Sequence, residues 1–98
     1  MKLKLITFKT NQTIIGQVSE EKTCIKVKQP VQVIVQPTKE GPMMAFAPFL
    51  DFSEEFEKGI VFHYEDILTI NNPVVDLQNQ YNKFFGSGIQ IASAIPKI

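Results

Sequence analysis

Two short apolar runs on either side of a polar turn constrain the chain most: Ile60-Val61-Phe62, then His63-Tyr64-Glu65-Asp66, then Ile67-Leu68-Thr69-Ile70. Each run can pair along a sheet edge, and four polar residues suffice to turn between them. We read this stretch as the closing strand pair of a small barrel.

A chain of 98 residues fits one domain, whose modest core gains from burying further surface in an oligomer. Ten lysines and no arginine balance ten acidic residues, which excludes a global attraction to nucleic acid or to an anionic membrane. The charge is unevenly spread. Residues 1–39 hold seven Lys against Glu20 and Glu21, whereas residues 40–98 hold three Lys against eight carboxylates. That polarity suits a basic face or a head-to-tail meeting of subunits.

Cys24 is the only cysteine and His63 the only histidine, so neither an internal disulfide nor a Cys/His metal spacing can form. No metal or cofactor is expected. The opening Met1-Lys2-Leu3-Lys4-Leu5-Ile6 is too short in apolar residues for a signal peptide, and no window approaches a membrane span. The expectation is a soluble cytoplasmic protein with no membrane partner.

Residues 3–9 alternate well enough for a first strand, and the polar run 10–13 follows as a turn. In the second strand Ile14, Gly16 and Val18 share a face, and a glycine at such a place marks a bulge, a bend or a close backbone approach. The cleanest alternation comes next, with Ile25, Val27, Val31, Val33 and Val35 expected on one face and Lys26, Lys28, Gln32 and Ile34 on the other. Pro30 in its middle removes a ladder donor and predicts a kinked strand near an edge. Residues 37–42 have turn composition, and residues 43–52 return as an apolar strand. Residues 53–59 suit either a helical turn capped by Ser53 and stopped by Gly59 or a solvated loop.

The one clear helix is predicted over 73–85, with Asn72 as cap, Pro73 in the first helical position and Gly86 after the end. Val74, Leu77, Tyr81 and Phe84 form its apolar stripe. The tail beyond carries Ile89, Ile91, Ile95 and Ile98 and is expected to dock on its own domain or a neighbour. The organisation is therefore a β-barrel unit over 1–72 and a helix with apolar tail over 73–98.

Five bent strands with a glycine in the second and an apolar-turn-apolar closing pair resemble the Sm and Sm-like family, including its Hfq-like members. Residues 5–18 resemble the start of the first Sm motif, with Gly16-Gln17-Val18 at its glycine-x-leucine step. Residues 60–70 resemble the second motif, with its Arg-Gly pair replaced by His63-Tyr64 or by Tyr64-Glu65. The loop after the second strand lacks the family's Asp and Asn, and the helix follows the last strand where the family's precedes the first. The fold class this implies is mostly β, a small, strongly bent five-stranded Sm-like barrel with a C-terminal α-helix.

The resemblance also implies assembly. Open strand edges at Val61, Phe62, Ile67, Leu68 and Ile70 would pair with the next copy and close a homo-oligomeric ring of about five to seven subunits. It further implies single-stranded RNA as partner. His63 and Tyr64 fall in the turn that lines the family's pore, and Lys22, Lys26 and Lys28 lie near the loop that faces RNA. Each has a plainer reading: a structural or surface histidine, and a solvated strand face.

Glu54, Glu55 and Glu57 read as a solvated acidic turn, since paired catalytic carboxylates need a cleft that a filled small barrel lacks. Phe46, Phe49, Phe52, Phe56 and Phe62 read as core and subunit interface. Gly86-Ser87-Gly88 follows a helix and so is no phosphate loop. No catalytic activity is expected. The alternative to an RNA-binding ring is a structural ring or protein-binding adaptor without RNA.

Overall fold

The computed structural model describes residues 2–85. It is mostly β: β1 Lys2–Phe8, β2 Thr13–Glu20, β3 Cys24–Thr38, β4 Gly41–Pro48, β5 Ile60–His63, a 3-10 turn Tyr64–Asp66, β6 Ile67–Asn71, and one helix, α1 Val75–Phe85. All pairings are antiparallel, in the order β4-β3-β2-β1-β6, with β5 also on β3. Six strands form, not the expected five. The apolar run predicted over 43–52 stops at Pro48, residues 49–59 fold as a chain of turns, and β5 returns to the same edge of β3 that β4 has left.

Three residues between β5 and β6 dictate the shape of the sheet. In a flat sheet these strands would lie four spacings apart, about 19 Å. Three residues in a 3-10 turn cannot span that, so the sheet curls until its two edges approach. The rings of Phe8 on β1 and Phe62 on β5 meet inside the curl at 5.0 Å. No ladder joins β5 to β6 among the described residues, and the sheet stays open there.

Two apolar clusters lie on the two faces. Inside the curl Ile6, Phe8, Ile14, Val18, Ile25 and Val27 are buried together, with Phe49, Phe62, Tyr64, Ile67 and Ile70 partly buried against them. On the other face Ile15 and Val31 are covered by Leu77 and Tyr81 of α1, flanked by Leu3, Leu5, Val33, Phe46, Phe84 and Phe85.

The switch between faces occurs within β3 and corrects the single alternation expected for it. Gln17 pairs with Lys28 but Ile15 pairs with Val31, so Gln29 and Pro30 together oppose Gly16. This bulge adds one residue and reverses the parity: Ile25 and Val27 point into the curl, Val31 and Val33 toward the helix. Gln29 takes φ 51° to make it. Gly16 permits it, because a Cβ there would lie 2.5 Å from Val27 Cγ1.

Three polar groups at the bulge find partners off the ladder, as buried backbone must. Gln29 N–H donates to Phe56 O at 2.7 Å, Phe49 N–H donates to Pro30 O at 2.9 Å, and the Tyr81 hydroxyl donates to Gln29 O at 2.8 Å. The turn expected over 37–42 shrinks to Lys39 and Glu40, since the flanking residues pair as far as Thr38 with Gly41.

The helix begins at Val75, and Asn72 does not cap it. The Asn72 Oδ1 atom accepts from Lys4 Nζ at 2.7 Å, while Val74 O receives the first amides, those of Leu77 and Gln78. Val74 is 71% exposed and leaves the stripe, whereas Pro73, Leu77 and Tyr81 are buried. Phe84 meets Phe46 edge-on at 6.3 Å, and Phe85 lies 6.1 Å from Phe56. Gly86 and the isoleucine tail lie outside the described residues.

Candidate nucleic-acid interface

Cross-strand register brings His63 beside the lysine strand. His63 pairs with Cys24 and Val61 with Lys26, so His63 and Lys26 are diagonal neighbours on the face turned away from Ile25 and Phe62. Alternation places Lys28 on that same outward face, one step toward the bulge, half-buried where Lys26 is exposed. Lys22 sits in the exposed loop between β2 and β3. His63, Lys22, Lys26 and Lys28 are thus gathered along one margin of the sheet.

Tyr64 is placed otherwise. Its ring packs against the inner cluster, and its hydroxyl donates to Glu21 O at 2.8 Å, tying the 3-10 turn to the β2–β3 loop. Desolvation raises the phenol's pKa above its ordinary value, and the charges of Glu20, Cys24 and Glu21 add to the rise. From the other side Lys9 N–H donates to Asp66 O at 3.0 Å. The turn is clamped at both ends, so His63 is presented by rigid backbone.

The field around this margin is mixed. Lys26 Nζ lies 3.8 Å from Glu21 Oε2, with both side chains about half exposed. Glu65 and Asp66 occupy the turn itself. Four carboxylates, Glu20, Glu21, Glu65 and Asp66, therefore stand among three lysines. Such a surface exerts little long-range attraction on phosphate, which could be held there only by direct lysine contact.

The residues expected at subunit edges divide. Val61 and Leu68 are 46% and 62% exposed, while Phe62, Ile67 and Ile70 pack on the inner cluster of their own chain. Leu68 owes its exposure to a second irregularity, where β1 steps from Thr7 to Phe8 as β6 steps from Thr69 to Ile67. The five phenylalanines read together also separate: Phe56 is buried, Phe46, Phe49 and Phe62 are partly buried, and Phe52 is 99% exposed.

One feature at the mouth of the curl went unread in the sequence. Phe8, Phe49 and Phe62 floor an open cavity of about 230 Å³, rimmed by Lys9, Thr10, Gln12 and Asp66. Its parts come from three separated segments, so only the fold assembles it. Among the described residues, no three His, Cys, Asp or Glu side chains converge as a metal site. No protein-family model matches the chain, and no curated protein matches it significantly.

Proposed function

We propose that the chain is an Sm-like protein whose curled sheet acts as a small open barrel and joins neighbouring copies through its strand edges into a ring. The ring of about five to seven copies binds single-stranded RNA, with His63, Tyr64, Lys22, Lys26 and Lys28 at the contact. The observation that carries this reading is the path from β5 to β6: a clamped three-residue turn joins strands on opposite margins of the sheet, each paired on one side only. Two unpaired edges at opposite margins of one short chain invite head-to-tail addition. Exposed Val61 and Leu68 on those edges support it, and repetition around a ring would set His63 and its lysines side by side many times over.

Light scattering on a sizing column tests the assembly, and a monomer at micromolar concentration would end it. Fluorescence anisotropy with short uridine-rich and adenosine-rich RNAs over a salt series tests the ligand. Saturable binding that weakens with salt is expected. The carboxylates beside His63 and the engaged Tyr64 hydroxyl favour a second reading, a ring that serves as a protein-binding scaffold. A stable ring with no RNA binding at low salt would select it.

A further inference from the structure

Resting on the ring reading, we propose that residues 49–59 form a docking knob for a second copy of this chain, with Phe52 seated on Val74 and Val75 of the neighbour. Asp51 and Glu54 beside the knob face the neighbour's Lys2 and Lys4.

The loop is built to hold Phe52 out. Ser53 N–H and Ser53 Oγ both donate to Leu50 O, at 3.1 and 2.8 Å, and Leu50 takes φ 60° to close that turn. A leucine in the left-handed region is strained and persists only where its surroundings impose it. Further on, Phe56 N–H donates to Ser53 O, and Gly59 N–H donates to Glu55 O at 2.7 Å. Buried Phe56 anchors the whole to the β3 bulge. At the tip of this bonded loop Phe52 is 99% exposed. A large aromatic held rigidly in water is the kind of side chain that anchors interfaces.

The counterpart lies on the opposite margin. Val74 and Val75 are 71% and 66% exposed immediately after β6, and Lys4 is held next to them by its bond to Asn72. Lys2 is exposed on the same strand. Topology brings the two together. The loop enters β5 at Ile60, and β6 ends at Asn71; antiparallel addition of β5 to a neighbour's β6 sets the chain before Ile60 beside the chain after Asn71. The charges favour the match, since the loop carries Asp51, Glu54, Glu55 and Glu57 against Lys58, and the receiving side carries Lys2 and Lys4 against Asp76.

Sedimentation of the full-length chain over a concentration series tests the docking, with thermal unfolding as a control that the variants fold. Phe52→Ser and the paired change Val74→Ser with Val75→Ser should each weaken association at least about tenfold, and combining them should weaken it little further. Lys2→Glu with Lys4→Glu should weaken association, and adding Asp51→Lys with Glu54→Lys should recover it. An assembling wild type whose association is unmoved by Phe52→Ser and by the valine pair, or moved by them additively, overturns the knob and leaves the ring standing. A wild type that stays monomeric overturns the ring reading itself, and the knob with it.

Discussion

The Tyr81 hydroxyl donates to the backbone carbonyl of Gln29 at 2.8 Å, so the only helix among the described residues is bolted to the bulge that reverses the faces of β3. The ring packs in one buried cluster with Ile15, Val31 and Leu77, and the phenol supplies a hydrogen bond to the bulge carbonyl. Tyr81→Phe should keep the packing but strand that carbonyl, costing about 1–3 kcal/mol. Chemical unfolding of the two proteins measures it.

The same phenol makes stability sensitive to alkali. Burial pushes the Tyr81 pKa from 10.0 up to about 12, partly offset by a hydrogen bond from Gln17. Above pH 10 the unfolded chain gives up a proton that the folded chain keeps. The contribution is therefore whole below pH 10 and is lost as pH rises through about 12. The stability difference between wild type and Tyr81→Phe should be constant below pH 10 and shrink above it. Titration of the Tyr64→Phe variant by tyrosinate absorbance should show the remaining phenol ionising late.

Gly16 is the residue the bulge cannot exchange. A methyl group there meets Val27 Cγ1 at 2.5 Å, Lys28 O at 3.2 Å and Pro30 Cα at 3.3 Å. Two of these are backbone atoms and cannot swing aside. Gly16→Ala should destabilise by roughly 1–3 kcal/mol. Adding Val27→Ala removes the worst clash, so the double variant should lose less than the sum of the two single losses in denaturant unfolding.

What could be read in advance follows from how local each signal is. Alternation and turn residues placed β1, β2 and the β5–turn–β6 unit within a residue or two, because each is set by neighbours in sequence. Gly16 announced a bend. It does not announce that Gln29 and Pro30 share its partner position, so simple alternation puts Val31 and Val33 on the wrong face; a bulge depends on pairing between strands and leaves no period in one. Asn72 had the chemistry of a cap, but Lys4, 68 residues earlier, claims its oxygen. At the site, register sets His63 diagonal to Lys26, while the engagement of Tyr64 with Glu21 O is a contact across 43 residues that composition cannot encode.

The edge residues make opposite predictions according to where they point. Phe62 contacts Phe8 and Phe49 inside its own chain, so Phe62→Ala should lower the stability of the single copy by roughly 2–4 kcal/mol. Val61→Lys and Leu68→Lys change exposed positions and should leave the unfolding midpoint of the single copy nearly unchanged. They should instead abolish assembly, since a lysine on a strand edge opposes pairing. Sizing with light scattering, run beside thermal unfolding, separates the two effects.

Binding of RNA should depend on the outward margin and not on the acidic turns. Lys22→Glu, Lys26→Glu and Lys28→Glu together should weaken a short uridine-rich RNA strongly at low salt. If each lysine meets one phosphate, neutralising all three as glutamines should flatten the slope of log affinity against log salt by about 2, at about 0.7 per phosphate of a single strand. His63→Ala should cost about 1–3 kcal/mol if the imidazole stacks on a base. Tyr64→Phe should loosen the β2–β3 loop by freeing Glu21 O while keeping the ring in place, so its effect on binding should be smaller than that of His63→Ala. Lys58→Gln, on the loop that carries Phe52, serves as the control and should leave the slope unchanged. Equal losses at Lys58 and at the three outward lysines would mean that the RNA follows net charge alone.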